Sequence, residues 1–418
     1  MFKRPIAIGL SPNNQADDLK YVYKALFSPN CFKSGKFTGL LSSWFMDYLK
    51  SDNLFFFNSG RSALFCLLKS LSIGPGDEVI VQAFTCVAVP DPVIWVGARP
   101  VFTDIDASLN IKIESLEKAV NNKTKAIIVQ HTFGIPANIN KIKKIAQKYG
   151  IYVIEDCAHS LGAELDNRKI GALADAAFFS FGRDKVVSSV YGGAAVIYNN
   201  DKAKRILSRL HRSLPKPSLF WIFRQLLHPL AFSVILPFYN VHIGKVILFL
   251  LFKMKLLQKP VEKCELIAGK PDNFPAQMPD VLAGLLLSQL LKLTKFNKNR
   301  KKIAARYFAR LKNSPDFGLP PEIKNAVYLR FNILTEDSAD LLIYFKKRKI
   351  LLGNWYKNII DPKNVSFKTL GFNPDKFINA RKFARLSLNL PTYPNMSVED
   401  ADLIVNLLNE YADKKHQR

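Results

Sequence analysis

From about Leu54 to Tyr198 short apolar runs alternate with stretches whose apolar residues recur every three or four positions. SALFCLLKSLSI predicts a helix, DEVIVQAF and GARPVFTDI predict strands, and LEKAVNNKTKAIIVQHTFG predicts a helix leading into a strand. IAQKYGIYVIEDCAH repeats that unit, and DAAFFSF and AAVIYNN add two further strands. Strands that are apolar on both sides and separated by helical segments pair in parallel and are covered by helices on both faces. The expected fold class is therefore α/β with a large, mostly parallel sheet.

The rhythm breaks at Ser218 to Lys259, SLFWIFRQLLHPLAFSVILPFYNVHIGKVILFLLFKMKLLQK, which is strongly apolar with Pro229 and Pro237 inside. No Asp, Glu, Lys or Arg interrupts it between Arg224 and Lys245. That length approaches a bilayer span. The two prolines favour instead helices lying in a membrane interface, with a buried insertion or an oligomer contact as the alternative. Downstream, AGLLLSQLLKLTKFNKNRKKIAARYFARL predicts one long amphipathic helix with a basic outer face. A strand in AVYLRFNILT and helices in SADLLIYFKKRKI and VEDADLIVNLLNEY then predict a small α+β domain. The expected organisation is a large domain with an N-terminal arm over 1–217, an apolar insertion over 218–265, and an interdomain helix plus small domain over 266–418.

Charge narrows the partners. Sixty Lys and Arg against 34 Asp and Glu leave a formal charge of +26, which favours phosphates of a nucleotide-linked substrate or an anionic lipid. Basic-aromatic alternation and zinc-finger spacing are missing, which argues against nucleic acid. Five cysteines without C-x-x-C spacing argue against a metal or disulfide framework and for a reducing compartment. With no apolar leader evident at the N-terminus, the cytoplasm is expected, and the apolar segment adds attachment at the inner face of the cytoplasmic membrane as one of its readings.

Four elements carry candidate chemistry. In NSGRSALFCLL a strand turns through Gly60, Arg61 and Ser62 into a helix, whose free N–H groups beside a hydroxyl and a guanidinium suit a phosphate, although Ser-Gly there is also ordinary capping. In IYVIEDCAHSLGA a buried strand ends at Asp156, where α/β sheets bind ligands and a carboxylate can hold a proton on a heteroaromatic nitrogen. His159 follows three residues later, beside a ligand or simply structural. In FFSFGRDKVVSSVYGGAAV, Ser180 ends a strand and Lys185 stands in an apolar context, with Arg183 expected to disfavour its charge further. A desolvated lysine is neutral more of the time, as Schiff-base chemistry requires. In QAFTCVAVPDPVIWVGARPVFTDID the predicted helix start, Phe84 to Val87, lies where a flat ring could be covered, and Phe84 reads equally as core.

Read in order, SGRSAL, GPGDEVIVQAFTCVAV, GARPVFTDID, TKAIIVQHTFGIPANI, IEDCAHSLGA, FFSFGRDK, YGGAAV and LSLNLPTYPNMSVEDADLIVNLL resemble the DegT/DnrJ/EryC1/StrS sugar aminotransferases, a branch of fold-type I pyridoxal 5'-phosphate (PLP) enzymes. The resemblance covers nearly the whole chain except the apolar insertion. It implies a homodimer that moves an amino group, glutamate being the expected donor, to a keto group of a nucleotide-linked sugar for surface glycans. It also implies that Lys185 bonds the cofactor, Asp156 pairs with its ring nitrogen, His159 lies beside it, and Gly60, Arg61, Ser62 and Ser180 take its phosphate. Dehydratases of the same family resemble the chain too but carry His at the position of Lys185. A membrane-bound scaffold that kept the fold without turnover is the reading from another class.

Three departures from the family pattern stand out. Cys86 aligns with the aromatic that stacks on the ring, leaving that contact to a thiol or to Phe84. Arg61 replaces a small hydroxyl residue. Pro275, Ala276 and Gln277 replace an Asn-Tyr-Arg run that reaches the partner's cofactor, and Arg61 is expected to compensate.

Overall fold

Seven of the apolar runs become one sheet: β1 (Leu54–Phe57), β2 (Glu78–Gln82), β3 (Arg99–Thr103), β4 (Thr124–Gln130), β5 (Tyr152–Asp156), β6 (Ala176–Ser180) and β7 (Gly193–Ile197). The computed structural model describes residues 5–28, 32 and 35–417; the first four residues and Cys31 lie outside the described residues. Strand order across the sheet is β1-β7-β6-β5-β4-β2-β3. Strands β2 to β6 pair in parallel, and β7 runs antiparallel to both β6 and β1.

Side chains alternate across a pleated strand, so a sheet buried on both faces feeds two cores. Ile80 and Val153 enter one apolar cluster. Their neighbours Val79, Val81 and Ile154 enter the other. Residues of Asp280–Leu290 pack in the first cluster, and Tyr356, Ile360, Leu370 and Ala380 from the C-terminal part of the chain pack in the second. A third cluster, around Tyr307, Phe331, Phe345, Leu388, Ile404 and Leu408, forms the core of the C-terminal region. There Phe331–Leu334 pairs antiparallel with Ser387–Leu390, and the N-terminal Ile6–Ala7 pairs in parallel with Ile350–Leu351.

The helix α1 (Gly60–Ser70) follows β1 directly. The apolar segment folds as α2 (Leu219–Ile235), with Pro229 inside it, and α3 (Ile243–Lys253). Among the described residues no helix is long and apolar enough to cross a bilayer. The single long helix expected downstream is two: α4 (Asp280–Leu290) and α5 (Leu293–Leu311). Tertiary ion pairs hold the joint, because Lys292 reaches Asp17 and Asp18 at 2.8 Å. A second difference lies at Phe84 to Val87, where no helix starts. Thr85–Cys86 instead pairs with Ile360–Asp361, and the helix begins at Pro90.

β7 crosses the β1–α1 turn so closely that a side chain at Gly193 would overlap the backbone of Ser59 and Gly60. Backbone cannot yield as a side-chain tip can. Gly193→Ala should therefore cost about 1–3 kcal/mol of stability, read as a lower urea midpoint; an unchanged midpoint would show that the turn relaxes.

Candidate active site

A cavity of about 640 Å³ opens at the carboxyl ends of β4, β5 and β6. That is the size of a small-molecule or cofactor site and the edge of an α/β sheet at which ligands collect. Asp156, His159, Ser180, Lys185, Gly60, Arg61 and Cys86 all line it. Ser62 and Phe84 do not.

The floor of the cavity is the end of β5. Asp156 is buried, and its Oδ1 accepts the Ala158 N–H at 3.0 Å. Burial raises its pKa, and the charge of Lys185 works against that rise. The neighbouring Glu155 faces away from this work. It accepts the N–H groups of Gly171, Leu173 and Ala174, as well as a 3.2 Å contact from His131.

Lys185 sits on a loop that leaves the sheet after β6 and returns to it through the Phe181 N–H to Gly192 carbonyl bond at 2.9 Å. Its backbone is clamped from outside the sheet. Asn13 Nδ2 donates to the Lys185 carbonyl at 2.7 Å, and the buried Arg300 donates to the Val186 carbonyl at 2.8 Å and to Asn13 Oδ1 at 3.1 Å. Burial lowers the pKa of the Lys185 amine, and the Arg330 guanidinium lowers it further. Arg183, the cation expected in that role, is turned elsewhere: it donates to the Gln258 carbonyl and lies over the Tyr191 ring.

Arg330 carries the same signature that marks Lys185, a cation in the middle of an apolar run, and sequence reasoning passed over it. It is 5% exposed, lines the cavity, and stacks on Trp355 with 3.6 Å to the ring centre. No hydrogen bond or ion pair to its guanidinium appears among the described residues. A buried guanidinium without a carboxylate partner, open to a cavity, is a seat for an anion.

His159 is buried beside the rings of Phe133 and Tyr356, the three nearly parallel planes meeting pairwise at 5.7–6.4 Å, and its Nδ1 accepts the Phe133 N–H at 3.3 Å. Burial, together with Lys185 and Arg330, holds its pKa well below the usual imidazole value. It is a neutral ring with its proton on Nε2. Phe84, expected as a ring contact, is fully buried, edge-on to Phe133 and Tyr356. Its place in the cavity wall is taken by Cys86, whose thiol burial pushes up to about 11, so it stays protonated.

At the start of α1 the Ser59 hydroxyl accepts the Ser62 N–H at 3.2 Å. Ser62 spends its own hydroxyl on Asn58 at 2.7 Å, so it is a capping residue and not a cavity group. Ser59 lines the cavity in its stead. The first two amides of the helix, Gly60 and Arg61, have no acceptor within it. A Cβ on Gly60 would stand 2.9 Å from the Cβ of Ser180, so glycine keeps this cradle open. The Arg61 guanidinium does not face the cradle as expected. It forms a buried ion pair with Glu265 and donates to the Pro260 carbonyl at 3.0 Å. Pro275, Ala276 and Gln277 run along the edge of β1: the Asn58 N–H donates to the Ala276 carbonyl, and Gln277 Nε2 donates to the His211 carbonyl.

The family model described as the DegT/DnrJ/EryC1/StrS aminotransferase family matches residues 12–216 and 269–409. The chain belongs to this family. Among curated relatives, a UDP-N-acetyl-3-dehydro-alpha-D-glucosamine 3-aminotransferase of Acidithiobacillus ferrooxidans is 41% identical over 36% of this chain and 42% of its own length. A pleiotropic regulatory protein of Geobacillus stearothermophilus is 27% identical over 84% of this chain and 83% of its own. The solved structure of S. venezuelae DesV, in complex with a ketimine intermediate, superposes with a TM-score of 0.73 over 95% of this chain and 94% of its own, at 25% identity. The unmatched interval between residues 216 and 269 contains α2, α3 and the Glu265 that holds Arg61. Within the family pattern, therefore, Arg61 answers to a segment that the pattern lacks.

Asp91 lies beside this ion pair, fully buried, with no hydrogen-bond partner for either oxygen among the described residues. Burial, reinforced by Glu265, pushes its pKa up to about 8. An acid whose pKa rises on folding loses stability for the folded state as pH climbs from the unfolded value through the folded one. Asp91→Asn removes that loss. The stability difference between variant and wild type should grow by up to roughly 1.4 kcal/mol per pH unit between pH 5 and 8, in urea titrations at each pH; a constant difference would place the proton elsewhere.

Proposed function

We propose that the chain is a PLP-dependent aminotransferase that takes nitrogen from glutamate and delivers it to a keto group of a nucleotide-linked sugar, in the making of surface glycans. The reading includes a homodimer and contact of 218–259 with the inner face of the cytoplasmic membrane. The observation that carries it is the convergence of Lys185, Asp156 and the α1 cradle on one cavity in a member of this family.

The residues fit the cofactor. The amides of Gly60 and Arg61 with the hydroxyls of Ser59 and Ser180 suit a phosphate, and the opening kept by Gly60 leaves room for one. Asp156, buried at the strand end, would hold the ring nitrogen, and a pyridinium there would return the carboxyl to its charged form. When bound, PLP supplies the electron sink that makes a Cα–H bond acidic.

The remaining work falls to the chain. The Lys185 amine, its pKa lowered by burial and Arg330, would accept the proton from the donor's Cα and, in the return half of the reaction, deliver a proton to the sugar carbon that receives the nitrogen. Arg330 holds the donor's carboxylate against the Trp355 wall. His159, neutral and fixed by its Phe133 bond, offers a rigid polar face beside the ring without adding charge. Cys86, protonated, fills the space of an aromatic side chain without competing as a nucleophile.

Purified protein should be yellow and bleach on addition of glutamate, and borohydride reduction should leave a pyridoxyl adduct at Lys185 on peptide mapping. Colourless protein indifferent to added cofactor would favour the scaffold reading. Arg330→Met should raise the KM for glutamate by about 10²-fold, as expected for loss of a charge-assisted bond worth roughly 2–3 kcal/mol, with a smaller effect on kcat. Equal loss in both would make Arg330 structural.

A further inference from the structure

The segment that closes the insertion, Gln258 to Leu266, forms part of the cavity wall. Lys259, Pro260, Val261, Glu262, Lys263 and Leu266 line it. This strap is fastened at four points. Arg183 donates to the Gln258 carbonyl, the Tyr191 hydroxyl to the Lys259 carbonyl at 2.8 Å, Arg61 to the Pro260 carbonyl, and Arg61 also pairs with Glu265. The side chains of Lys259 and Lys263 therefore project from a held backbone. Lys363 joins them from the Asp361–Asn364 turn. All three are exposed, line the cavity, and have no ion-pair partner among the described residues. Of the acids on the same wall, Glu262 is bonded to Gln258 at 2.7 Å, and its pKa is raised by burial and Glu265. Asp361 is bonded to Asn358 and buried. Seven Lys and Arg against four Asp and Glu line the cavity as a whole.

The position of this rim is as informative as its charge. Helix α2 faces the cavity wall with Trp221, whose ring meets Tyr191 at 5.5 Å, and with Gln225, bonded to Gln258 at 3.3 Å. Its other side exposes Leu219, Phe220 and Phe223, and α3 exposes Ile243, Val246, Phe249 and Leu250. The exposed side of α2 therefore lies about one helix diameter, ~10 Å, from the cavity wall. From Lys202 to Val261 there are eleven Lys and Arg and not one Asp or Glu. An apolar face on a stretch of chain whose only charges are basic complements an anionic bilayer surface.

We propose that Lys259, Lys263 and Lys363 form a seat for the diphosphate that links the acceptor sugar to its carrier, on the cavity rim nearest the α2–α3 hairpin. It rests on the aminotransferase reading for the identity of the acceptor, and its own chemistry is that of a diphosphate between ammonium groups. A nucleotide and a membrane-anchored lipid present the same diphosphate. The second would leave its hydrocarbon in the bilayer on which the hairpin rests.

The test is calorimetric binding of UDP, farnesyl diphosphate and inorganic pyrophosphate to the full-length holoprotein, with and without phosphatidylglycerol vesicles. Both organic diphosphates should bind, and the double change Lys259→Glu, Lys263→Glu should weaken them at least tenfold, as should Lys363→Glu alone. The same charge reversal at the exposed Lys141 and Lys144, on helix Ile139–Tyr149, should leave affinity within about twofold. A tenfold preference for farnesyl diphosphate on vesicles would support the seat with a lipid carrier, and a preference for UDP would support it with a nucleotide. Equal affinity of wild type and rim variants, equal loss in the Lys141 and Lys144 control, or an absence of binding by both organic diphosphates would overturn it. So would a dimer broken by changes at Phe220 and Phe249 together with loss of diphosphate binding, which would assign the hairpin and the rim to a contact between copies. Glutamate bleaching of the wild-type protein tests the aminotransferase reading separately, so a failure of that reading is not mistaken for a failure of the seat.

Discussion

An ammonium taken out of water beside a guanidinium is unstable, and the active end of this molecule is organised around that instability. Lys185 and Arg330 enter one cavity, burial lowering the pKa of each, and Asp156 opposes that shift at Lys185. Such an arrangement persists only if the backbone that carries it cannot move away. Here Asn13 and Arg300 grip the carbonyls of Lys185 and Val186, and the loop is closed on the sheet at Phe181 and Gly192. The buried amine is thus held in place by hydrogen bonds to the main chain, made by groups distant in sequence.

The insertion is joined to this site electrostatically. Arg61 stands in the first turn of α1 at the cradle, yet its guanidinium turns away to Glu265, beside Asp91, whose carboxyl has no hydrogen bond among the described residues. The first helical turn of the large sheet and the strap that ends the α2–α3 hairpin therefore share one buried ion pair. Removing one partner from such a pair leaves an uncompensated charge in a place of low polarity, at a cost of several kcal/mol. A segment outside the family pattern has become a wall of the cavity through that pair.

Several features of the site were legible in the sequence because they depend on neighbours along the chain. An acid at the end of an apolar run, Asp156, and a lysine between two apolar runs, Lys185, announce themselves by conflict with their surroundings. Arg330 announces itself in the same way and was missed, since a single cation in a strand also reads as an edge residue. Ser62 and Phe84 were placed by local pattern in the cavity. The structure gives one to a helix cap and the other to the core, because a hydroxyl at the third helical position is within reach of Asn58 and a large apolar ring gains more from full burial.

By itself the sequence determined the alternation of strand and helix, the two-faced burial of the sheet, and the place of Asp156 at a strand end. Each follows from periodicities of two and 3.6 residues and from the apolar content of short runs. Only the tertiary structure decided which cation faces Lys185, where Arg61 turns its guanidinium, how the long helix breaks at Leu291 and Lys292, and that the insertion reaches the cavity. These outcomes depend on distances between groups as much as 287 positions apart, as for Arg300 and Asn13. Local pattern carries no term for such distances; long-range packing and desolvation set them.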